Sequence, residues 1–460
     1  MTSSCGGTHP QRPRGRSGAA RAVLQRGPGN LDLVELPLPD IGPDEALLQV
    51  EACGICGTDV EEYSGALFDT IGPTSPFVPG HEPVGRIAAI GARAARRWGL
   101  AEGDRVVVEP ALPCGACRDC RTGRYVLCAG WDHFPMSYGF IPAKIPPALW
   151  GGFADRMFLH ANSVVHKVSD AVAPTTAATF NAVAAGVEWA VEVPGTRAGD
   201  CVVVLGAGQR GLACVLAARA AGADPVIVTG LASDRHKLDL ALELGATAAV
   251  EVDGEEADEG GVPAKVLELT GGVQPDVVID VAAYDPQTVL DAMTLARPGG
   301  TVILAGLKGG RPVPGWISDD VVTKGLRVQG VRAVGHTSFR RAVALINSGE
   351  HPLHRLVTHT FGLHDAAEAI ETLAGNRPGS RPISVVITPD QTTQDQTTSD
   401  QRASGRTAQA QFVPDQSTPD QITPKRIVPD QRTPGRIVPK QRTPGGGVLD
   451  RIAPGRPVPE

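Results

Sequence analysis

The chain has 460 residues, 42% of them apolar and 20% charged, and 43 basic side chains against 50 acidic ones leave a formal net charge of −7. That length accommodates two or three domains, and the acidic balance gives no electrostatic basis for nucleic acid as a partner. Residues 1–20 lack the apolar stretch of a secretory signal and no window approaches ~18 consecutive apolar residues, so a cytoplasmic protein acting on a small molecule, with no membrane partner, is expected.

In chain order, residues 1–20 (Gln11-Arg12-Pro13-Arg14-Gly15-Arg16) read as a disordered basic arm. From residue 21 to about 175 short β runs broken by Gly and Pro recur at 21–24, 46–50, 85–90 and 104–108, the pattern of a partly closed barrel. Inside it lie Gly54-Ile55-Cys56-Gly57-Thr58-Asp59 and Gly80-His81-Glu82. A catalytic zinc keeps about three protein ligands and an open position, and Cys56, His81 and Glu82 supply three.

Cys114, Cys117, Cys120 and Cys128 follow. Three thiols at intervals of three and a fourth eight residues on can surround one Zn²⁺, closed to substrate and bracing a loop. An iron–sulfur cluster is the alternative for that spacing. Four clustered cysteines of nine, with no export signal, favour metal-bound thiolates over disulfides. The stretch 131–153, with Trp131, His133, Phe134, Tyr138, Phe140 and Trp150, either lines the substrate pocket or packs the cysteine lobe.

Residues 176–335 alternate strands and helices, with strands expected at 201–205, 225–229, 246–250, 276–281, 301–305 and 326–330, which make a doubly wound parallel sheet. The first runs directly into Gly206-Ala207-Gly208-Gln209-Arg210-Gly211 and a helix over 212–221. A GxGxxG loop in that context binds a dinucleotide: Gly206 for the turn, Gly208 for approach of the pyrophosphate, Gly211 for close helix packing, with Gln209 and Arg210 between them. An NAD site usually carries Asp or Glu after the second strand, whereas this chain has Gly230, followed by Ser233, Arg235 and Lys237. The expectation is therefore NADP ahead of NAD.

Residues 336–388 hold helical runs at 339–348 and 365–374 and a strand at 383–387 that return to the first domain. In the tract 389–460 prolines recur every five positions from 414 to 444. Such a tract buries little apolar surface and reads as a disordered, polyproline-prone tail.

On Gly54 to Asp59, Gly80-His81-Glu82, Gly103-Asp104-Arg105-Val106, the four clustered cysteines and the glycine loop, residues 21–388 resemble a zinc-dependent medium-chain alcohol dehydrogenase of the threonine and sorbitol dehydrogenase branch. The resemblance implies an α/β protein: a GroES-like β-barrel catalytic domain, a Rossmann domain for NAD(P), two zinc ions per chain, and a homo-oligomer, dimer or tetramer. It makes Cys56 and His81 zinc ligands, with Glu82 a ligand or an exchangeable neighbour, and Thr58 the first member of a proton relay that ends at Glu61 or solvent. Glu61 stands where the family commonly has His, and Asn181 is at best a weak substitute for a further zinc ligand. Cys53 is expected to pack rather than ligate. The expected reaction is hydride transfer between a secondary alcohol or polyol and the nicotinamide. A zinc-free reductase of conjugated C=C bonds on the same fold, and a non-catalytic nucleotide-binding or interaction protein using the C-terminal repeats, are the alternatives.

Overall fold

A computed structural model of the protein describes residues 18–66, 76–128, 137–253 and 261–389. Residues 1–17, the aromatic positions Trp131, His133 and Phe134, and the tract from residue 390 lie outside them.

The first domain begins with an antiparallel hairpin, β1 (Ala19–Gly27) and β2 (Asn30–Pro37). It continues with β3 (Ala46–Ile55), β4 (Glu82–Ile90), β5 (Arg105–Val108), β6 (Arg156–Leu159) and β7 (Val165–Lys167). β3 is the central strand and is nearly continuously buried, because β4 flanks one edge while β6 pairs with its start. Two bulges, at Leu47/Leu48 and Val50/Ala52, interrupt the β3–β4 register and bend the strand as a closing barrel requires. Tyr138, Leu149 and Trp150 are buried with Leu24, Leu48 and Val106 in this domain's core. Two of the aromatic residues named in the stretch 131–153, Tyr138 and Trp150, are thus accounted for as packing.

The second domain is a six-stranded parallel sheet of β8 (Val202–Leu205), β9 (Val226–Gly230), β10 (Ala248–Glu251), β11 (Val277–Asp280), β12 (Thr301–Leu304) and β13 (Arg327–Gly330), in the order β10-β9-β8-β11-β12-β13. Val202, Val203 and Val204 have no exposed surface. A β-branched run buried on both faces is what a strand covered by helices on either side demands, each such side chain contributing about 1.5–3 kcal/mol of burial. The strand order reverses between β8 and β11, and the crevice at the carboxyl ends of these two strands is where such sheets bind ligands.

The chain then rejoins the first sheet through β14 (Val357–Phe361) and β15 (Ser384–Ile387), with β15 antiparallel to β3 at Cys53, Gly54 and Ile55. Six helices matter below: α1 (Gly57–Ser64), α2 (Phe180–Val187), α3 (Gln209–Ala220), α4 (Arg235–Glu243), α5 (His336–Ser348) and α6 (Ala366–Leu373). Every residue of α2 is buried. It packs in one continuous apolar cluster with Val84 and Val107 of the first domain and Val202 and Val204 of the second, so residues placed on α2 are held relative to both.

Candidate active site

Cys56 ends the extended run of β3 and acts as N-cap of α1, where its sulfur accepts from the backbone N–H of Thr58 at 3.2 Å. Asp59, three residues on, completes the reciprocal cap by accepting from the Cys56 N–H at 2.9 Å. Local helix capping thereby fixes the thiol. His81 and Glu82 arrive at the start of β4, after Gly80 at φ +89°. A Cβ at Gly80 would lie 2.4 Å from the Phe153 ring, and one at Gly54 would lie 2.4 Å from Glu82 Oε2. Gly54 thus lets β3 approach Glu82, and Gly80 lets the segment carrying His81 pack on Phe153.

The result brings Cys56 Sγ within 3.0 Å of His81 Nε2, with a Glu82 carboxylate oxygen within 4.8 Å of both and all three residues buried. The other ring nitrogen of His81 lies 3.3 Å from Asp59 Oδ1, too poorly aligned for a hydrogen bond but close enough for strong attraction. Asp59 is 1% exposed and sets which nitrogen faces Cys56, the orienting role a carboxylate plays behind a ligating histidine. Burial alone pushes the His81 pKa down; the charges of Asp59 and Cys56, together with the close polar contacts to both, outweigh it and hold it well above the ordinary value.

Glu82 Oε1 accepts from Asn181 Nδ2 at 2.7 Å. Asn181 is thus engaged with the carboxylate, and its place on α2 makes it an orienting group rather than a further ligand. Burial raises the Glu82 pKa, opposed by the His81 charge and then by this hydrogen bond. Glu62 lies beneath, with burial and the Asp59 charge pushing its pKa up to about 9 and its Oε2 unpartnered. A thiol, an imidazole and three carboxyl groups drawn together out of water are a donor set rich in acidic groups, and a divalent cation among Cys56, His81 and Glu82 would balance their charge.

Thr58 is half-buried on the first turn of α1, and among the described residues its hydroxyl has no hydrogen-bond partner. Glu61 Oε1, one turn along, accepts from the Tyr284 hydroxyl at 2.7 Å. Tyr284 belongs to the second domain and holds φ +66°. The contact spans the cleft between domains, and no local pattern marks it because 223 positions separate the partners. Phe140 rests beside His81 with ring centroids 5.5 Å apart. Cys53 is fully buried and its sulfur contacts the Gly54 carbonyl at 3.6 Å.

The four lobe cysteines also converge. Cys114 and Cys120 sulfurs are 3.9 Å apart, as are those of Cys117 and Cys128, and no disulfide joins them. Zn–S bonds of about 2.3 Å in a tetrahedron require an edge near 3.8 Å. Backbone N–H groups of Ala116 and Cys117 point at Cys114 Sγ and lower its pKa, which favours the thiolate that a metal needs.

The glycine turn joins β8 to α3. Gly206 sits at φ +109°, and a Cβ at Gly211 would fall 1.9 Å from the Gly206 carbonyl. A Cβ at Gly208 would meet nothing within 4 Å. Gly208 also caps α3 without a side-chain bond, so the helix start is open to an anion. Gln209 and Arg210 have their side chains engaged elsewhere: Gln209 Oε1 accepts from Ser384 Oγ at 2.9 Å, and Arg210 lies over the Trp189 ring at 5.2 Å. The turn opens on a cavity of about 860 Å³ that Gly230, Asp234 and Lys237 also line. Lys237 Nζ pairs with Asp234 at 2.7 Å. Arg235 faces away from the cavity, binding Asp239 at 3.1 Å and Glu251 at 2.7 Å, because its position on α4 puts it beside the β10 edge.

Comparison with known proteins agrees with this geometry. The family described as "Alcohol dehydrogenase GroES-like domain" matches residues 42–170, and that described as "Zinc-binding dehydrogenase" matches residues 211–348. A Mycobacterium tuberculosis protein named "Probable alcohol dehydrogenase adh" is 45% identical over 371 residues, covering 80% of this chain and 98% of the relative. The erythritol/L-threitol dehydrogenase of Mycolicibacterium smegmatis is 33% identical, covering 78% and 95%. A crystal structure from Sinorhizobium meliloti, described as a zinc-binding dehydrogenase bound to NADP, superposes with a TM-score of 0.68 at 30% identity, covering 81% of this chain and all of that one. With both domains, the zinc-ligand pattern and near full-length relatives in agreement, the chain belongs to the zinc-dependent medium-chain alcohol dehydrogenases, in the branch that resembles sorbitol dehydrogenase.

Proposed function

We propose that the protein interconverts a secondary alcohol or polyol and its carbonyl partner, using NADP(H) in preference to NAD(H). The observation that carries this reading is the buried Cys56, His81 and Glu82 donor set, each member oriented by its own partner, in a chain whose glycine turn opens on a dinucleotide-sized cavity. A zinc ion held by those three residues supplies a Lewis acid that lowers the pKa of the substrate hydroxyl.

The chain's own groups do the rest. Asp59 keeps the His81 ring turned, Asn181 keeps Glu82 turned, and the unpartnered Thr58 hydroxyl is the proton acceptor beside the metal ligands. From Thr58 the proton passes outward to solvent or to Glu61, whose carboxylate the Tyr284 hydroxyl holds at the domain cleft. The helix start after Gly208 binds the pyrophosphate through backbone N–H groups. A zinc-free C=C reductase has no use for this donor set.

Preference for NADP rests on Gly230 and Lys237. A carboxylate at 230 would bind the ribose diol and repel a 2′-phosphate; glycine does neither. Lys237 borders the cavity and can exchange its single Asp234 contact for a phosphate, whereas Arg235 would have to leave two ion pairs. A homo-oligomeric state, carried over from the family, and a cytoplasmic location complete the reading. The test is nicotinamide reduction over a panel of polyols, secondary alcohols and hydroxy acids with both cofactors. Wild type should favour NADP in kcat/KM, and Gly230→Asp should shift the ratio towards NAD by about tenfold or more. A Cβ at 230 approaches Leu238 Cδ2 at 3.0 Å and Ala207 Cβ at 3.1 Å, contacts that a Leu238 side-chain shift and a few tenths of an ångström of backbone movement at Ala207 relieve. Wild-type preference for NAD, unaltered in Gly230→Asp and Lys237→Ala, would overturn the cofactor assignment.

A further inference from the structure

A third donor set lies apart from both zinc sites. Glu109 follows β5 and has no exposed surface; His166 lies on β7 and is buried; His336 is the first residue of α5 and its side chain is 47% exposed. His166 Nε2 lies 2.7 Å from Glu109 Oε1, and His336 Nδ1 lies 3.1 Å from the same oxygen. The two imidazoles stack with centroids 5.2 Å apart and planes 28° from parallel. The three ligand atoms all fall within 4.8 Å of one another. Glu109 Oε2 accepts from the Tyr125 hydroxyl in the cysteine lobe, which fixes the carboxylate and aims Oε1 at the two rings.

We propose that Glu109, His166 and His336 form a third, regulatory zinc site that ties the two domains together. Two imidazole nitrogens and a carboxylate oxygen are a borderline donor set suited to Zn²⁺. Bonds of about 2.0–2.1 Å in a tetrahedron need edges near 3.3 Å, so the His166–Glu109 edge opens by about 0.6 Å and the His336–Glu109 edge by about 0.2 Å to admit the ion. The Cys56–His81 pair, at 3.0 Å, is contracted in the same sense. Burial on the Glu109 side and exposure at His336 give the ion one route in, and leave its fourth position to water. His166 lies on β7 of the first sheet and Glu109 directly follows its β5, while His336 belongs to the segment leaving β13 of the second. A metal bond across that boundary resists relative domain motion, and cleft enzymes commonly turn over by such motion. Zinc beyond the two tight equivalents should therefore slow the enzyme.

The experiment titrates Zn²⁺ into holoenzyme that retains two equivalents after dialysis, following bound zinc and turnover together in wild type, His336→Gln and His354→Gln. His354 is an exposed histidine elsewhere and controls for adventitious surface binding. Wild type and His354→Gln should take up a third equivalent with a severalfold loss of kcat, and His336→Gln should bind it at least about tenfold more weakly and keep its rate. Co²⁺ added to the two-zinc protein provides a measurement independent of any variant: it should give the visible spectrum of a nitrogen and oxygen site without a sulfur charge-transfer band. A third equivalent bound equally well by His336→Gln, no third equivalent in wild type, or a thiolate band from cobalt would each overturn the proposal and leave the trio a hydrogen-bonded clamp.

Discussion

Replacing Asn181 by Leu keeps the branched shape of the side chain, somewhat enlarged, in a site only 5% exposed, but removes the 2.7 Å hydrogen bond to Glu82 Oε1. A hydrogen bond to a charged acceptor is worth about 1.5–3 kcal/mol. Its loss frees a carboxylate whose other oxygen is confined by Gly54, so the reorientation of Glu82 is taken up at the metal. Removal of an orienting partner behind a metal ligand weakens metal binding by about 10–100-fold, equivalent to about 1.4–2.8 kcal/mol. The assay is competition against a chromophoric chelator, which resolves the weaker of two zinc equivalents while the lobe zinc stays bound. Asn181→Leu should lower the affinity of that weaker equivalent by this factor and leave the other unchanged. An unchanged affinity in a folded variant would refute the idea that Asn181 acts through Glu82.

Three further outcomes follow from the same physical reasoning. Lys308 Nζ reaches Asp280 at 2.8 Å beneath the glycine turn, where Asp280 has no exposed surface; burial already raises the Asp280 pKa above 3.8 and Lys308 opposes that rise. Lys308→Met should cost about 3–5 kcal/mol near neutrality. Because a raised folded pKa gives stability that is present at low pH and lost as pH rises through it, the difference in Tm from wild type should be larger at pH 8 than at pH 5. An equal loss at both pH values would refute it. In folded, zinc-stripped protein, alkylation mapped by mass spectrometry should mark Cys114, Cys117 and Cys128 before Cys201 and Cys214, with Cys120 slower because burial pushes its thiol up to about 12. Burial lifts Cys201 to about 11 and Cys214 to about 12, so labelling of Cys214 before unfolding would contradict the packing described. Deleting residues 391–460 should leave Tm and kcat nearly unchanged, since that stretch carries no periodic apolar face; a large loss of either would mean that the repeats dock on the folded part.

What could be read from sequence was local. The six strands of the parallel sheet and the glycine turn follow from short runs and fixed spacings, and the observed strand bounds differ from the expected ones by one or two residues. α3 begins at Gln209 rather than 212 because the Gly208 backbone itself caps the helix, and α5 begins at His336 rather than 339 with Gly335 as its cap. The roles that escaped sequence reasoning join distant positions. Asn181 meets Glu82 across 99 residues, and Tyr284 meets Glu61 across 223. Arg235 carries the right charge for a phosphate but has stronger acidic neighbours in Asp239 and Glu251, and Glu251 is on a different strand. Asp59 was within reach of sequence: an acidic residue three positions after a helix cap is a capping pattern, and here it also lies against His81.

In the proposed function, turnover depends on a zinc ion bound by Cys56, His81 and Glu82, separate from the one in the cysteine lobe. The most direct measurement is zinc content against kcat, point by point, as a mild chelator removes metal and stoichiometric zinc restores it. Activity should fall in proportion to loss of one of two equivalents while the fold persists, and should return with that equivalent. His81→Ala should hold one equivalent, stay folded and show no recoverable activity. Full activity in His81→Ala, or in wild type holding only the lobe zinc, would contradict the account.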